Sequence, residues 1–142
     1  MYTFVQKFHS GWAYLALLLL VFAVINSFLG MNSKKEFTGK DRKIALFGLI
    51  GTHLQLLIGF ILYFISPLGL DSLGQMKDAA LRLTSLEHPL INIIAIVLIT
   101  IGWSKHKKAE NSTAKFKSIA IFYGIGLLLI LSRIPWKMWL NN

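Results

Sequence analysis

Three of the chain's four histidines lie in or at the edge of long apolar runs: His9, His53 and His88. An imidazole is costly to place in hydrocarbon, so its presence there points to a working role. Neutral imidazole nitrogens are metal ligands, and one or two of them on facing helices are what a b-type haem needs as axial ligands. Such a haem needs no covalent attachment motif. It needs an apolar slot and a cation near its propionates, for which Arg133 in the fourth run and Arg82 ahead of the third are the candidates. Glu87, beside His88, can pair with either arginine and neutralise a costly charge. The fourth histidine, His106, sits among lysines and reads as a solvated surface residue.

The elements that must position these side chains are the runs themselves, at about 11–31, 44–65, 84–103 and 118–137. Each is near the ~20 residues that cross a ~30 Å hydrocarbon core as a helix. The runs are continuous rather than alternating, which argues against strands. The expectation is one all-α domain, residues 1–142: a membrane four-helix bundle of two αα-hairpins, up-down-up-down. A faint internal echo, Ile44-Ala45-Leu46-Phe47 with Gly51 and Ile119-Ala120-Ile121-Phe122 with Gly126, is compatible with an old duplication or with chance. Pro67, Gly69 and Gly74 mark a loop between the hairpins, with Met76–Leu83 as a short interfacial helix. Trp12, Trp103, Trp136 and Trp139 lie near run ends, where an interfacial aromatic belt belongs.

Helical periodicity sorts the candidates. His9, Ala13, Ala16, Leu20, Ala23 and Ser27 share a stripe, as do Thr84, His88, Asn92, Ala95, Ile99 and Gly102. Small and polar residues line helix contacts in membranes, so His9 and His88 face inward. In the second run Gly48, Thr52, Gln55 and Gly59 form the small stripe, and His53 points away from it. At 1.5 Å per residue from the basic end, His53 lies about 14 Å deep, His88 about 23 Å and His9 near 30 Å.

The formal net charge is +9, and ten of the fifteen basic residues fall in two connections, 32–43 and 104–117. The positive-inside rule makes that side cytoplasmic and puts both termini outside. The charge therefore suits anionic lipid headgroups, not nucleic acid. The first run is too long for the apolar part of a signal peptide and reads as an uncleaved span. There are no cysteines, which excludes disulfides, thiolate catalysis, iron–sulfur clusters and thioether-linked haem.

At His9-Ser-Gly-Trp12, Thr52-His53-Leu-Gln55-Leu-Leu-Ile-Gly59 and Leu86-Glu87-His88-Pro89 the chain resembles a family of small four-span bacterial membrane proteins labelled cytochrome-b-like. The likeness covers nearly the whole length. The segment 53–59 also resembles, more distantly, one four-helix half of haem A synthase, a family that binds haem between histidines on membrane helices. This chain has no second bundle, so the resemblance does not imply synthase activity. It implies haem b held by histidines among His88, His53 and His9 in a bacterial inner-membrane protein. Such a protein would transfer electrons or assist redox assembly, with a quinone or a respiratory membrane complex as partner. Two alternatives stay open: a zinc or copper site built from the three histidines with Glu87, and a cofactor-free accessory subunit held in a larger complex or homo-oligomer by its small-residue seams.

Overall fold

The computed structural model describes residues 1–141, and among them there are helices and turns but no strand. Four helices are long and apolar enough to cross a membrane: α1 (Tyr2–Ser33), α2 (Gly39–Ile65), α4 (His88–Lys108, continuous with the short α3, Ala79–Arg82, through a π turn) and α5 (Ser112–Ser132). A last short helix, α6, covers Trp136–Leu140. The fold is the expected all-α four-helix bundle of a multi-pass membrane protein.

The helix ends follow from local chemistry. Nothing between Tyr2 and Gly11 breaks a helix, so α1 begins nine positions before the apolar run and is 32 residues long. At about 48 Å it exceeds a ~30 Å core and must tilt or protrude. It ends where Lys34 takes a left-handed backbone (φ 54°). α2 starts at Thr38, whose N–H and hydroxyl both donate to the Asp41 carboxylate at 2.9 Å. Asp41 is 2% exposed and also accepts from Asn26 and Lys35, so its charge is fully engaged. α2 stops at Ile65 because Pro67 disfavours a helical residue before it. The Asn111 side chain caps α5 by accepting from Ala114 N at 2.8 Å. Hydropathy alone carries the fourth run to residue 137. Pro135 cuts it instead, so α5 ends at Ser132 and Trp136–Leu140 folds as a separate turn of helix.

α1 packs against α2 and α5, and α4 packs against α5; α2 and α4 touch more lightly. The two hairpins are therefore joined along α1 and α5. Leu20, Ala23, Ala45, Ala95, Ile99, Ile119 and Tyr123 form the core, with the Tyr123 hydroxyl donating to Ala45 O at 2.8 Å. Glycines make the close seams. A Cβ on Gly126 would stand 2.8 Å from Ile99 Cγ1, and one on Gly51 3.1 Å from Leu19 Cδ1. The echoed positions Ala45 and Ala120, Gly51 and Gly126 are all buried in such seams. Outward, Leu18, Phe22, Leu29, Leu57, Phe64, Val97 and Leu128 are exposed. That apolar belt is what a bilayer covers. Trp103 departs from the expected belt: it is 9% exposed, in the core, because Arg42 and His106 cover it. The two basic connections meet at one end of the bundle, where Phe37 N donates to Ser112 Oγ at 2.8 Å.

Candidate functional site

At the opposite end of the bundle lies a cavity of about 210 Å³. Its walls come from the first half of α1, the second half of α2, the start of α4, the end of α5 and the loop after α2. Ala13, Leu56, Ile96, Ile130 and Ile134 make it largely apolar, and His9, Gln55, His88 and Asn92 are its main polar groups.

α1 holds His9 by two contacts with α2. The Gln55 side-chain amide donates to His9 O at 2.9 Å, and the His9 ring lies against Gly59, where a Cβ would come within 3.2 Å of Cε1. Its Nδ1 is buried without a hydrogen-bond partner, and so is Gln55 Oε1. Two orphaned polar atoms in one apolar cavity are costly unless something there engages them.

His88 is oriented differently. Its Nδ1 lies 3.0 Å from Arg133 O and 3.2 Å from Asn92 Nδ2. Asn92 Nδ2 already donates to His88 O at 2.6 Å, so the ring is best satisfied by donating Nδ1–H to the Arg133 carbonyl. That choice leaves Nε2 with its lone pair, the arrangement by which metal-binding histidines are commonly fixed.

The two rings face each other across the cavity with centroids 6.3 Å apart and planes at 85°. Imidazoles bound on opposite sides of one metal ion place their ring centres about 6 Å apart, from metal–nitrogen bonds of ~2.0–2.1 Å plus the ring radius. The angle between planes is free about that axis. The donor set, the spacing and the apolar lining are what two histidines would need to hold one haem iron between them.

The backbone before His88 is shaped by Pro89. Proline lacks an N–H and its ring collides with the carbonyl four residues back, which is Ser85 O. The chain answers with a π turn over Leu83–Glu87, and His88 N bonds to Leu83 O. Ser85 O is then picked up by the Tyr63 hydroxyl at 2.9 Å. The sequence offered no special role for Tyr63; the signal was Pro89 with a carbonyl needing a donor. Tyr63→Phe is expected to leave Ser85 O unpaired and to destabilise the fold by about 1–2 kcal/mol. Equilibrium unfolding in micelles measures it, and an unchanged midpoint would show that Ser85 O finds another donor.

Beyond the cavity, Glu87 bridges both arginines, at 2.7 Å to Arg82 Nε and 3.6 Å to Arg133 Nε. Two guanidinium groups on one carboxylate leave one positive charge in excess.

Two sequence expectations need correction. His53 does not join the pair: it faces outward, with Nδ1 2.8 Å from Leu49 O on its own helix and Nε2 3.3 Å from Thr100 Oγ1. A histidine can satisfy itself locally inside an apolar run, so depth alone did not make it a ligand. Consistently, no group of three metal-binding side chains gathers among the described residues, and the three-histidine zinc or copper site is not assembled. His106 is no solvated residue either. It is 2% exposed, because the end of α4 folds it against Trp103 and Phe37.

Fold and site together define a multi-pass, all-α membrane protein with a paired-histidine cavity at one end. The chain matches no known protein-family model, no curated protein and no solved structure.

Proposed function

We propose that this chain is a haem b-binding protein of the bacterial inner membrane, with His9 and His88 as the axial ligands, serving electron transfer or redox assembly. The observation that carries the reading is the facing of these two rings at 6.3 Å inside an apolar cavity. The Arg133 carbonyl presets the His88 tautomer, and Gly59 leaves room for the His9 ring. Arg82 and Arg133, sharing Glu87, supply the surplus positive charge for the propionates. When bound, the haem supplies a one-electron iron couple; the bundle excludes water from it and sets its potential through the ligands and their hydrogen bonds. Under the positive-inside rule the connections 32–43 and 104–117 are cytoplasmic and both termini are outside. The site then lies in the outer half of the bilayer, within reach of a quinone or a membrane redox partner.

The test is a reduced-minus-oxidised visible spectrum of the detergent-purified chain, expressed with ample haem supply, together with a pyridine haemochrome assay. Sharp b-type bands at near-stoichiometric haem are expected. A featureless spectrum from folded protein overturns the assignment.

A further inference from the structure

The other end of the bundle carries a second depression, of about 420 Å³, lined by Thr38, Gly39, Arg42, His106, Lys107 and Lys115. Three of these residues, Arg42, Lys107 and Lys115, carry cationic side chains, and no carboxylate lies within 4 Å of any of them among the described residues. The nearest buried acid, Asp41, is already engaged by Lys35, Asn26 and Thr38.

Two of the cations are held in place by groups that do not neutralise them. The Arg42 guanidinium lies over the Trp103 ring at 5.3 Å. Lys115 Nζ donates to His106 O at 3.1 Å. An aromatic face and a carbonyl fix position at little cost in charge. The His106 ring, buried between Trp103 and Phe37, is the floor that holds both partners there. The first residues of the 27-residue α2, whose N-terminal turn is capped by Asp41, form one wall. Unpaired surface lysines normally swing freely in water; here the fold spends a buried aromatic cluster on keeping positive charge concentrated and uncompensated.

We infer that this depression is a binding site for a phosphate ester, namely the headgroup phosphate of an anionic membrane lipid. It lies at the basic end of the bundle, beside the ends of spanning helices α2 and α4, where headgroups of a surrounding bilayer would be met. Arg42 supplies the planar fork that suits a phosphate's paired oxygens, and Lys107 and Lys115 supply point charges. Such a site differs from diffuse attraction to a charged surface, because it depends on three residues and not on the total of fifteen basic ones.

The experiment uses the full chain in micelles, titrated with phosphatidylglycerol, with phosphatidylcholine and with inorganic phosphate. Bound lipid is read by native mass spectrometry and stability by thermal unfolding. Phosphatidylglycerol is expected to be retained and to raise the unfolding temperature, and phosphatidylcholine to do neither. Lys107→Gln should weaken retention about fivefold, the equivalent of ~1 kcal/mol for one cation near the surface, and Lys107→Gln with Lys115→Gln more than tenfold. A control that removes more charge elsewhere, Lys34→Gln with Lys40→Gln and Lys43→Gln, should leave retention nearly unchanged. If Lys115→Gln impairs folding, the Lys107 single variant carries the comparison alone, since its side chain makes no hydrogen bond. Stabilisation by inorganic phosphate equal to that by lipid would support the site and assign its ligand as free phosphate. Equal losses in the control and in the pocket variants, or no preference for the anionic lipid, would overturn the inference.

Discussion

His88→Ala is expected to remove the b-type spectrum of the proposed haem from a chain that still inserts and folds. On the proposed reading His88 is the ligand whose orientation is prearranged, by the Arg133 carbonyl on one ring nitrogen, and α4 offers no other histidine at the cavity. His9→Ala should leave only His88 to hold the proposed haem, so haem content should fall and what remains should be held weakly. His53→Ala is the informative control. His53 binds its own helix and Thr100 outside the cavity, so its haem content and band positions should match the parent. Visible spectra and haem-to-protein ratios of the three variants decide the matter. Loss of haem in His53→Ala with retention in His88→Ala would falsify the axial assignment.

Leucine at Gly126 or Gly102 is expected to force α4 and α5 apart. A Cβ alone at Gly126 meets Ile99 at 2.8 and 3.0 Å and the Ala95 carbonyl at 3.1 Å; at Gly102 it meets Phe122 Cβ at 2.6 Å and Ser118 O at 3.2 Å. The backbone oxygens cannot rotate aside, so α4 and α5 must separate. Overpacking of this kind costs about 1–3 kcal/mol for a small excess and more for a whole leucine side chain. Separation also draws His88 away from Arg133 O, so haem affinity should fall with stability. Gly11, with nothing within 4 Å of a Cβ, is the reference site. Gly11→Leu should be neutral or slightly stabilising, since glycine weakens a helix interior. Unfolding of the three variants in micelles checks this, and similar midpoints for all would show that the seam yields without cost.

Much of the architecture was legible because a bilayer imposes it. Four apolar runs of spanning length leave little choice of fold, and the stripes holding His9 and His88 pointed inward as the structure has them. The counted depths, about 23 and 30 Å, differ by about as much as the 6.3 Å between the two ring centroids. His53, by contrast, misled. Periodicity already placed it off the small-residue stripe, yet the cost of histidine in hydrocarbon weighed more in the reading than the geometry did. Leu49 O, a carbonyl four residues back, meets that cost without any cofactor. His106 was obscured by its lysine neighbours: what buries it is Phe37 from a distant connection, a contact no local pattern encodes. The orphaned atoms of His9 and Gln55 likewise belong to tertiary structure.

The π turn over Leu83–Glu87 has a further consequence. Each residue of an α-helix advances the chain by about 100° around its axis. A π turn accommodates a residue beyond the α repeat, and so resets the rotational phase between the helical segments on its two sides. Arg82 stands ahead of this step, Glu87 is its last residue, and His88 and Asn92 follow it. Their common aim depends on the number of residues between them more than on which residues those are. Exchanging Leu83 or Leu86 for another apolar residue preserves the phase. Deleting either one removes the accommodated residue, so the stretch closes toward a regular α-helix and brings the Pro89 ring back against the carbonyl four residues before it. In this stretch the protein is a counter, tolerant of spelling and intolerant of length.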